Sequence, residues 1–349
     1  MKFRKRYIRS ILQCFNINGK PIEIHPFLER VSKREARYVL RVCMKDGQSY
    51  VVKLTCAKRF PHDLIERQSR FSEHLRRGGI QTPRRYAADG VYCIKSKKRG
   101  FDFSVTVEDY AGEELKILDM DTARELGELL ARCHEISQRQ NCLIGAPTIF
   151  DMAGHHDMNS CDEFRALADA PGIDISLHGA VLEAYDTRLA QALAKLAGCP
   201  KHAVQGDFSI NNLSRQGPAR QGSELWLFDY NNAGDDYLVA DMITQGIFLS
   251  RDMDYAQPHN SDAMFEAFTR GYLEQRQLSE AEKCAASDCY AVSAAMWASG
   301  IGQWHGSLSE LLKRGGIDAA NRLLAEMLAM IRRGDFSCLS HTQLANTKK

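Results

Sequence analysis

The chain changes character at Ala111-Gly112. Before this point short runs of β-branched and aromatic residues alternate with turn residues, and after it apolar residues recur at three-and-four spacing. A strand-period pattern does not serve as a helix, nor the reverse. The sequence therefore predicts an α+β fold of two lobes, with a small antiparallel sheet and one helix first and a larger, mostly helical part second. At 349 residues the chain also exceeds what one hydrophobic core usually organises.

The first part is the more legible. Tyr38-Val39-Leu40-Arg41-Val42 and Tyr50-Val51-Val52-Lys53-Leu54 flank Lys45-Asp46-Gly47, and Asp-Gly between two such runs signals a β-hairpin. Phe27 to Val31 is expected to pair with the first run across Ser32 to Arg37. His62 to Arg77 carries Leu64, Ile65, Phe71 and Leu75 on one side and stops at Gly78-Gly79, with Pro83 beyond, so it reads as a helix. Gly90 to Ile94 and Phe103 to Val107 read as strands. In the second part, helices are expected over Met120 to Ser137, Ala180 to Leu196 and most of Ala263 to Ile331. The expected division is a basic arm over residues 1–22, an N-lobe over 23–107, a crossover at 108–113 and a C-lobe over 114–349.

Composition narrows the function classes. With 44% hydrophobic and 26% charged residues the chain is globular rather than disordered. A net charge of +2 with both signs interspersed gives no ground for a nucleic-acid partner. The 11 cysteines form no Cys-x-x-Cys pair and no regular disulfide framework, which suits a reduced, cytoplasmic setting. No apolar run reaches the roughly 18 to 20 residues of a membrane span. Met1 to Phe15 is basic, with Arg9 and Gln13 interrupting its apolar stretch, so it reads as a surface arm, with membrane-surface contact as the alternative.

The chemistry concentrates in Gln205-Gly206-Asp207-Phe208-Ser209-Ile210-Asn211-Asn212-Leu213 and in Leu225-Trp226-Leu227-Phe228-Asp229-Tyr230. Each is a polar loop after a short apolar run, and both are expected at strand ends on one face of a small hairpin. Phosphoryl transfer needs a carboxylate near the incoming hydroxyl and oxygen ligands for Mg²⁺. An Asp, an amide after it and a second Asp supply that set.

Gly-Asp-x4-Asn followed by an apolar run and Asp resembles the catalytic segment of the aminoglycoside phosphotransferase and choline kinase family, whose form is His-Gly-Asp-x4-Asn then Ile-Asp. The resemblance implies a bilobal protein-kinase-like fold and ATP- and Mg²⁺-dependent transfer to a hydroxyl of a small-molecule acceptor. It makes Asp207 the catalytic base, Asn212 and Asp229 the Mg²⁺ ligands, and Asp241 a structural residue of the loop. Gln205 stands where the family has His, and its amide is expected to substitute. Lys53 falls at the family's ATP-binding lysine, with the hairpin before it and the helix after it in the family's order. Counted back from Leu75…Thr82-Pro83, the helix position that pairs with this lysine falls on Gln68. The carboxylates nearby are Glu66 and Glu73; Glu66, on the turn facing the strands, is the expected partner, and its other reading is a surface carboxylate balanced by Arg70.

Val107-Glu108-Asp109-Tyr110-Ala111-Gly112-Glu113 resembles the family's hinge, where backbone groups near Glu108, Asp109 and Tyr110 would read the adenine. Leu126-Gly127-Glu128-Leu129-Leu130-Ala131-Arg132-Cys133-His134 resembles its Leu-Gly-x-x-Leu-Ala-x-x-His helix, with His134 read as a packed helix histidine. Ser32 to Arg37 contains no Gly, so it is no glycine-rich phosphate cradle and reads as a solvated turn. His155-His156-Asp157 reads as a surface loop rather than a metal site, and Trp297, Trp304 and His305 as core rather than a cation box. Asp235 and Asp236 are the acidic residues considered for an amine-bearing acceptor. A protein kinase is the second enzymatic reading, disfavoured by Ser209 in place of Lys and by the absence of Asp-Phe-Gly. A non-catalytic nucleotide-binding scaffold is the third.

Overall fold

The computed structural model describes residues 3–31, 36–58, 60–98, 100–148, 150–152, 167–216, 224–251, 261–299 and 308–333. The chain forms two compact units, one of Met1–Leu115 with Asn211–Asn231, the other of Lys116–Ile210 with Asn232–Lys349.

The first unit is built on five antiparallel strands, β1 (Pro21–Val31), β2 (Ala36–Met44), β3 (Ser49–Cys56), β4 (Ile94–Lys98) and β5 (Phe101–Asp109), in the order β1-β2-β3-β5-β4. The turn between β2 and β3 is the expected one: Gly47 takes φ +89°, and the Asp46 side chain accepts from the Gln48 amide at 3.1 Å. The fourth strand begins at Ile94 rather than at Gly90, because Asp89 and Gly90 both take positive φ in a turn closed by Ala88 and Val91. Alternation along β2 buries Ala36, Tyr38, Leu40, Val42 and Met44 and leaves Arg37, Val39 and Arg41 on the opposite face.

The buried face packs against α1 (Lys5–Cys14), so the described part of the expected arm, residues 3–22, is held on the sheet rather than lying free on the surface. This helix has no side-chain cap and is short, and such a helix is marginal in isolation. Packing holds it instead: Ile8, Ile11 and Leu12 are buried in the sheet's core, each contributing about 1.5–3 kcal/mol. Lys98 also lies 3.5 Å from the Tyr7 ring centroid. The second helix, α2 (His62–Arg77), runs as expected and stops where Gly79 adopts φ +97°. A two-stranded sheet of β7 (Leu213–Gln216) and β8 (Glu224–Leu227) completes this unit.

The second unit holds α3 (Met120–Arg139), α4 (Ile175–Leu196), α5 (Leu238–Arg251), α6 (Ser261–Gln275), α7 (Glu280–Ser299) and α8 (Leu308–Arg333). It also holds the short pair β6 (His202–Val204) and β9 (Gly234–Asp236). The apolar runs before the two polar loops therefore do not form one hairpin: the first pairs with β9 and the second with β7. Asp119 caps α3 by accepting from the Thr122 amide at 2.7 Å. The Gly of the Leu-Gly segment lets α3 and α6 touch: a Cβ on Gly127 would lie 1.9 Å from the Phe268 carbonyl oxygen, and one on Gly271 2.0 Å from that of Arg124. Among the described residues no helix is long and apolar enough to cross a membrane.

Gly127→Ala is expected to cost about 1–3 kcal/mol in urea denaturation, since backbone must move to admit the methyl group. Gly179→Ala, in α4 with open space around it, is expected to add about 0.5–1 kcal/mol. Equal effects at the two sites would contradict the packing described for α3 and α6.

Candidate active site

A cavity of about 310 Å³ in the first unit is lined by Lys53, Glu108, Tyr110, Asn212 and Asp229, among others. Strand alternation supplies its floor. Val39 pairs with Lys53 across β2 and β3, while Thr106 pairs with Lys53 across β3 and β5. Lys53 and Glu108 are thus diagonal neighbours on one face, within reach of a long side chain.

The Lys53 ammonium meets the Glu108 carboxylate at 2.9 Å and that of Asp229 at 3.3 Å. Glu108 uses its other oxygen on Arg85, at 3.1 Å, and Arg85 also donates to the Ser69 hydroxyl at 3.1 Å. Lys53, Glu108 and Arg85 are all buried, with side chains 6% exposed or less. The expected pair of Lys53 with Glu66 is not formed. Glu66 accepts from the amides of Tyr92 and Cys93 at 2.7 and 2.9 Å and pairs with Arg70 at 2.7 Å, which places it with the loop before β4. Gln68, at the helix position expected to pair with the lysine, donates to the Asn231 carbonyl at 2.9 Å. Glu73 receives the Arg85 amide at 2.8 Å and pairs with Arg76.

At the crossover the amides of Asp109 and Tyr110 are bonded to the carbonyls of Arg84 and Ser49, both at 3.1 Å, so these two N–H groups are committed inside the unit. The Asp109 carboxylate accepts from Tyr86 at 2.8 Å, and burial first of all raises its pKa. The Tyr110 ring stacks on Phe27 with centroids 5.9 Å apart, lies 4.0 Å from the Arg41 guanidinium and donates a hydrogen bond from its hydroxyl to Glu113. Burial and then that bond push the Tyr110 hydroxyl up to about 12.

Asp229 follows β8 and adopts φ +56°, a left-handed conformation that Asp tolerates better than most residues. Its carboxyl is drawn below the usual range: burial acts to raise it, but Lys53 and Arg37 together outweigh burial. Asn212 is buried at the end of the 3₁₀ turn Ile210–Asn212, and its carbonyl accepts from the Phe228 amide at 2.9 Å. That bond ties the amide-bearing and Asp-bearing segments together. Asn212 and Asp229 are hard oxygen donors lining the same cavity, a set suited to Mg²⁺.

Asp207 belongs to the second unit, in a loop held by side chains at every step. Gly206 takes φ +75°, where a Cβ would strike the Asn232 carbonyl at 2.5 Å. The Asp207 carboxylate accepts from Ser209 at 3.0 Å and from the Asn232 amide group at 2.9 Å. Gln205, in place of the family's His, accepts the Asp207 backbone N–H at 2.8 Å. The Phe208 amide donates to Gln245 at 2.9 Å, and Gln245 donates to Asp241 at 3.0 Å.

Asp241 is 3.0 Å from His134 Nε2, and His134 Nδ1 is 2.8 Å from the Tyr272 hydroxyl. Burial above all depresses the His134 pKa against the pull of Asp241. A neutral ring that donates from Nε2 to Asp241 and accepts at Nδ1 from Tyr272 satisfies every bond, with Arg276 donating to the Tyr272 oxygen at 3.2 Å. His134 is therefore a packed histidine with a positioning task.

The acidic pair considered for an acceptor has other work. Asp235 receives the amides of Ile144 and Gly145, both at 2.7 Å. Asp236 is buried, and burial followed by the Asp151 and Asp241 carboxylates holds its pKa well above the usual range. His155-His156-Asp157, Trp304, His305 and the Trp297 side chain lie outside the described residues.

Glu108 as a side-chain partner, Arg85, Arg37, Asn232 and Gln245 were not singled out in the sequence. The first was in reach, because alternation along β3 and β5 puts positions 53 and 108 on one face. Gln245 lies one helical turn beyond Asp241.

Neither a family model nor a curated protein sequence matches the chain. Solved structures do. A microcompartment-associated aminopropanol kinase superposes with a TM-score of 0.62 at 18% identity, covering 94% of this chain and 96% of that one. The chain has the fold of the small-molecule phosphotransferases. An amicoumacin kinase solved with AMP-PNP and Ca²⁺ gives 0.60 at 16% identity, over 95% of this chain and 93% of that one. An aminoglycoside phosphotransferase solved with GDP and kanamycin gives 0.51 at 15% identity, over 95% and 100%. Within this protein-kinase-like fold the five-stranded sheet is the N-lobe's, and the mostly helical second unit is the C-lobe.

Two outcomes check the geometry. A double-mutant cycle on denaturation free energy is expected to show about 1–3 kcal/mol of coupling between Lys53→Met and Glu108→Gln. The same cycle with Glu66→Gln should be additive within about 0.5 kcal/mol, and the reverse ranking would return the partner of Lys53 to the helix.

The second outcome concerns pH. A histidine held neutral below its ordinary pKa of 6.5 binds its proton more readily when unfolded. Its stabilising effect is complete above that value and fades as pH falls below it, by at most about 1.4 kcal/mol per pH unit. His134→Gln should flatten the stability profile between pH 6.5 and 5, leaving the share due to His202, which burial shifts the same way.

Proposed function

We propose that this protein is an ATP- and Mg²⁺-dependent phosphotransferase acting on a hydroxyl group of a small molecule. The observation that carries the reading is the cavity in which Lys53, Asn212 and Asp229 come together from a strand, a 3₁₀ turn and the segment after β8. Lys53 is already fixed by Glu108 and Asp229, so its ammonium can be aimed at phosphate oxygens without first being ordered. Asn212 and Asp229 would hold Mg²⁺, which when bound offsets the charge of the phosphates. Asp207 is the base in this reading: it orients the acceptor hydroxyl and accepts its proton. Its backbone bonds to Gln205, and Phe208's bond to Gln245, keep the loop in one conformation. This favours an active enzyme over a scaffold, because the Gln205 amide holds the loop in the position where the family has His.

The acceptor proposed is a small molecule carrying both hydroxyl and amine groups, of the aminoglycoside, choline or homoserine kind. The support is the fold shared with an aminopropanol kinase, an amicoumacin kinase and a kanamycin-bound phosphotransferase.

The test is ATP consumption by the purified protein with Mg²⁺, against amino alcohols, aminoglycosides, choline, homoserine and sugars. One acceptor should accelerate consumption in the wild type. Asp207→Asn should lower that rate by about a hundredfold or more while nucleotide binding, followed by calorimetry, is retained. A wild type that binds no nucleotide would sink the proposal. Consumption stimulated only by protein substrates would favour a protein kinase instead.

A further inference from the structure

The stretch before β2 offers no glycine whose bare backbone could wrap a phosphate, since residues 32–37 are Ser, Lys, Arg, Glu, Ala and Arg. The residue at the start of the strand supplies something else. Arg37 lies on the cavity face of β2, two positions before Val39, and Val39 is directly opposite Lys53. Arg37 and Lys53 are therefore diagonal neighbours on one face of the sheet. Both reach the same carboxylate: Arg37 is 3.5 Å from one oxygen of Asp229 and Lys53 is 3.3 Å from the other.

The two cations differ in what else holds them. Lys53 is buried and has Glu108 at 2.9 Å. Arg37 is 22% exposed, and among the described residues its ion-pair partner is Asp229 alone. At 3.5 Å that contact is looser than the 2.7–2.9 Å of a charge-assisted hydrogen bond. If Asp229 turns to a metal ion, Lys53 keeps a counter-charge, and Arg37 keeps none among the described residues. A phosphate is then the natural partner, because the planar guanidinium matches it in two-point geometry.

We infer that Arg37 is a nucleotide-binding residue that grips the terminal phosphates, next to a stretch with no glycine-rich cradle. The inference deepens the proposed function and rests on its reading of the cavity as a nucleotide site. Arg37 waits on Asp229 and transfers to the phosphates when nucleotide and metal arrive together.

The experiment is calorimetry of wild type, Arg37→Ala, Arg37→Gln and Arg37→Lys with Mg²⁺–AMP-PNP, Mg²⁺–tripolyphosphate and adenosine, on proteins matched by melting temperature. Arg37 is partly exposed, so the substitutions should fold. The expected result for Ala and Gln is about tenfold or greater loss of affinity for AMP-PNP and for tripolyphosphate, with adenosine unchanged and Lys recovering part of the loss. If Arg37 only neutralises Asp229, its removal frees that carboxylate for metal, and AMP-PNP binds as tightly or more tightly; that overturns the inference. Equal loss for adenosine overturns it too, since the effect would then not lie at the phosphates. Wild-type protein that binds none of the three defeats the nucleotide reading itself, and this inference with it.

Discussion

Everything in the first unit's cavity depends on keeping charged groups in place where water is scarce. A buried ammonium without a partner costs several kcal/mol, so Lys53 can sit under the cavity only because Glu108 and Asp229 are beside it. Glu108 would repel Asp229 if Arg85 did not share it, and Arg85 is itself buried against Ser69. The run Arg85, Glu108, Lys53, Asp229, Arg37 alternates in sign throughout. Arg85 bridges Glu108 of β5, Lys53 sits on β3, and Arg37 is the second residue of β2. The sheet's register is thus also the register of the charges, and a one-residue slip would turn Lys53 into the apolar core.

The second unit solves a related problem with a chain of hydrogen bonds. A loop that carries the proposed base must not wander, yet loops have no ladder of their own. Here the chain of bonds from Tyr272 through His134, Asp241 and Gln245 to the Phe208 amide fastens it to α3, α5 and α6. The close contact of α3 with α6, which Gly127 and Gly271 permit, sets the spacing at which His134 and Tyr272 can bond. Stability and loop geometry are therefore linked: loosening the helix pair loosens the far end of the same chain of bonds.

Much of this was legible in the residues. The hairpin at Asp46-Gly47, helix α2 and the helical remainder follow from local turn chemistry and periodicity, which act over a few residues. Asn212 and Asp229, flagged by spacing, do come together in one cavity. What escaped was decided at longer range. The burial of α1 follows from apolar residues meeting a sheet face over 20 residues away, which no local pattern reports. The Lys53 partner was sought along a helix by counting, whereas the sheet's diagonal geometry puts Glu108 closer. The two polar loops share a composition, yet their flanking runs pair with different strands, and strand pairing is a choice among distant alternatives.

The location of Glu108 has one more implication. In protein kinases the lysine's partner sits on a helix, and moving that helix breaks the pair and idles the enzyme. Here both partners are strands of a single hydrogen-bonded sheet, and a sheet has no joint at which one strand can swing away from the next. A shift of α2 would carry Glu66, Arg70 and the loop before β4 with it and reach the Lys53–Glu108 pair only through Arg85, which bonds Ser69 of that helix. On the proposed role of Lys53, the ion pair that positions this cation forms with the sheet itself rather than with the docking of a helix.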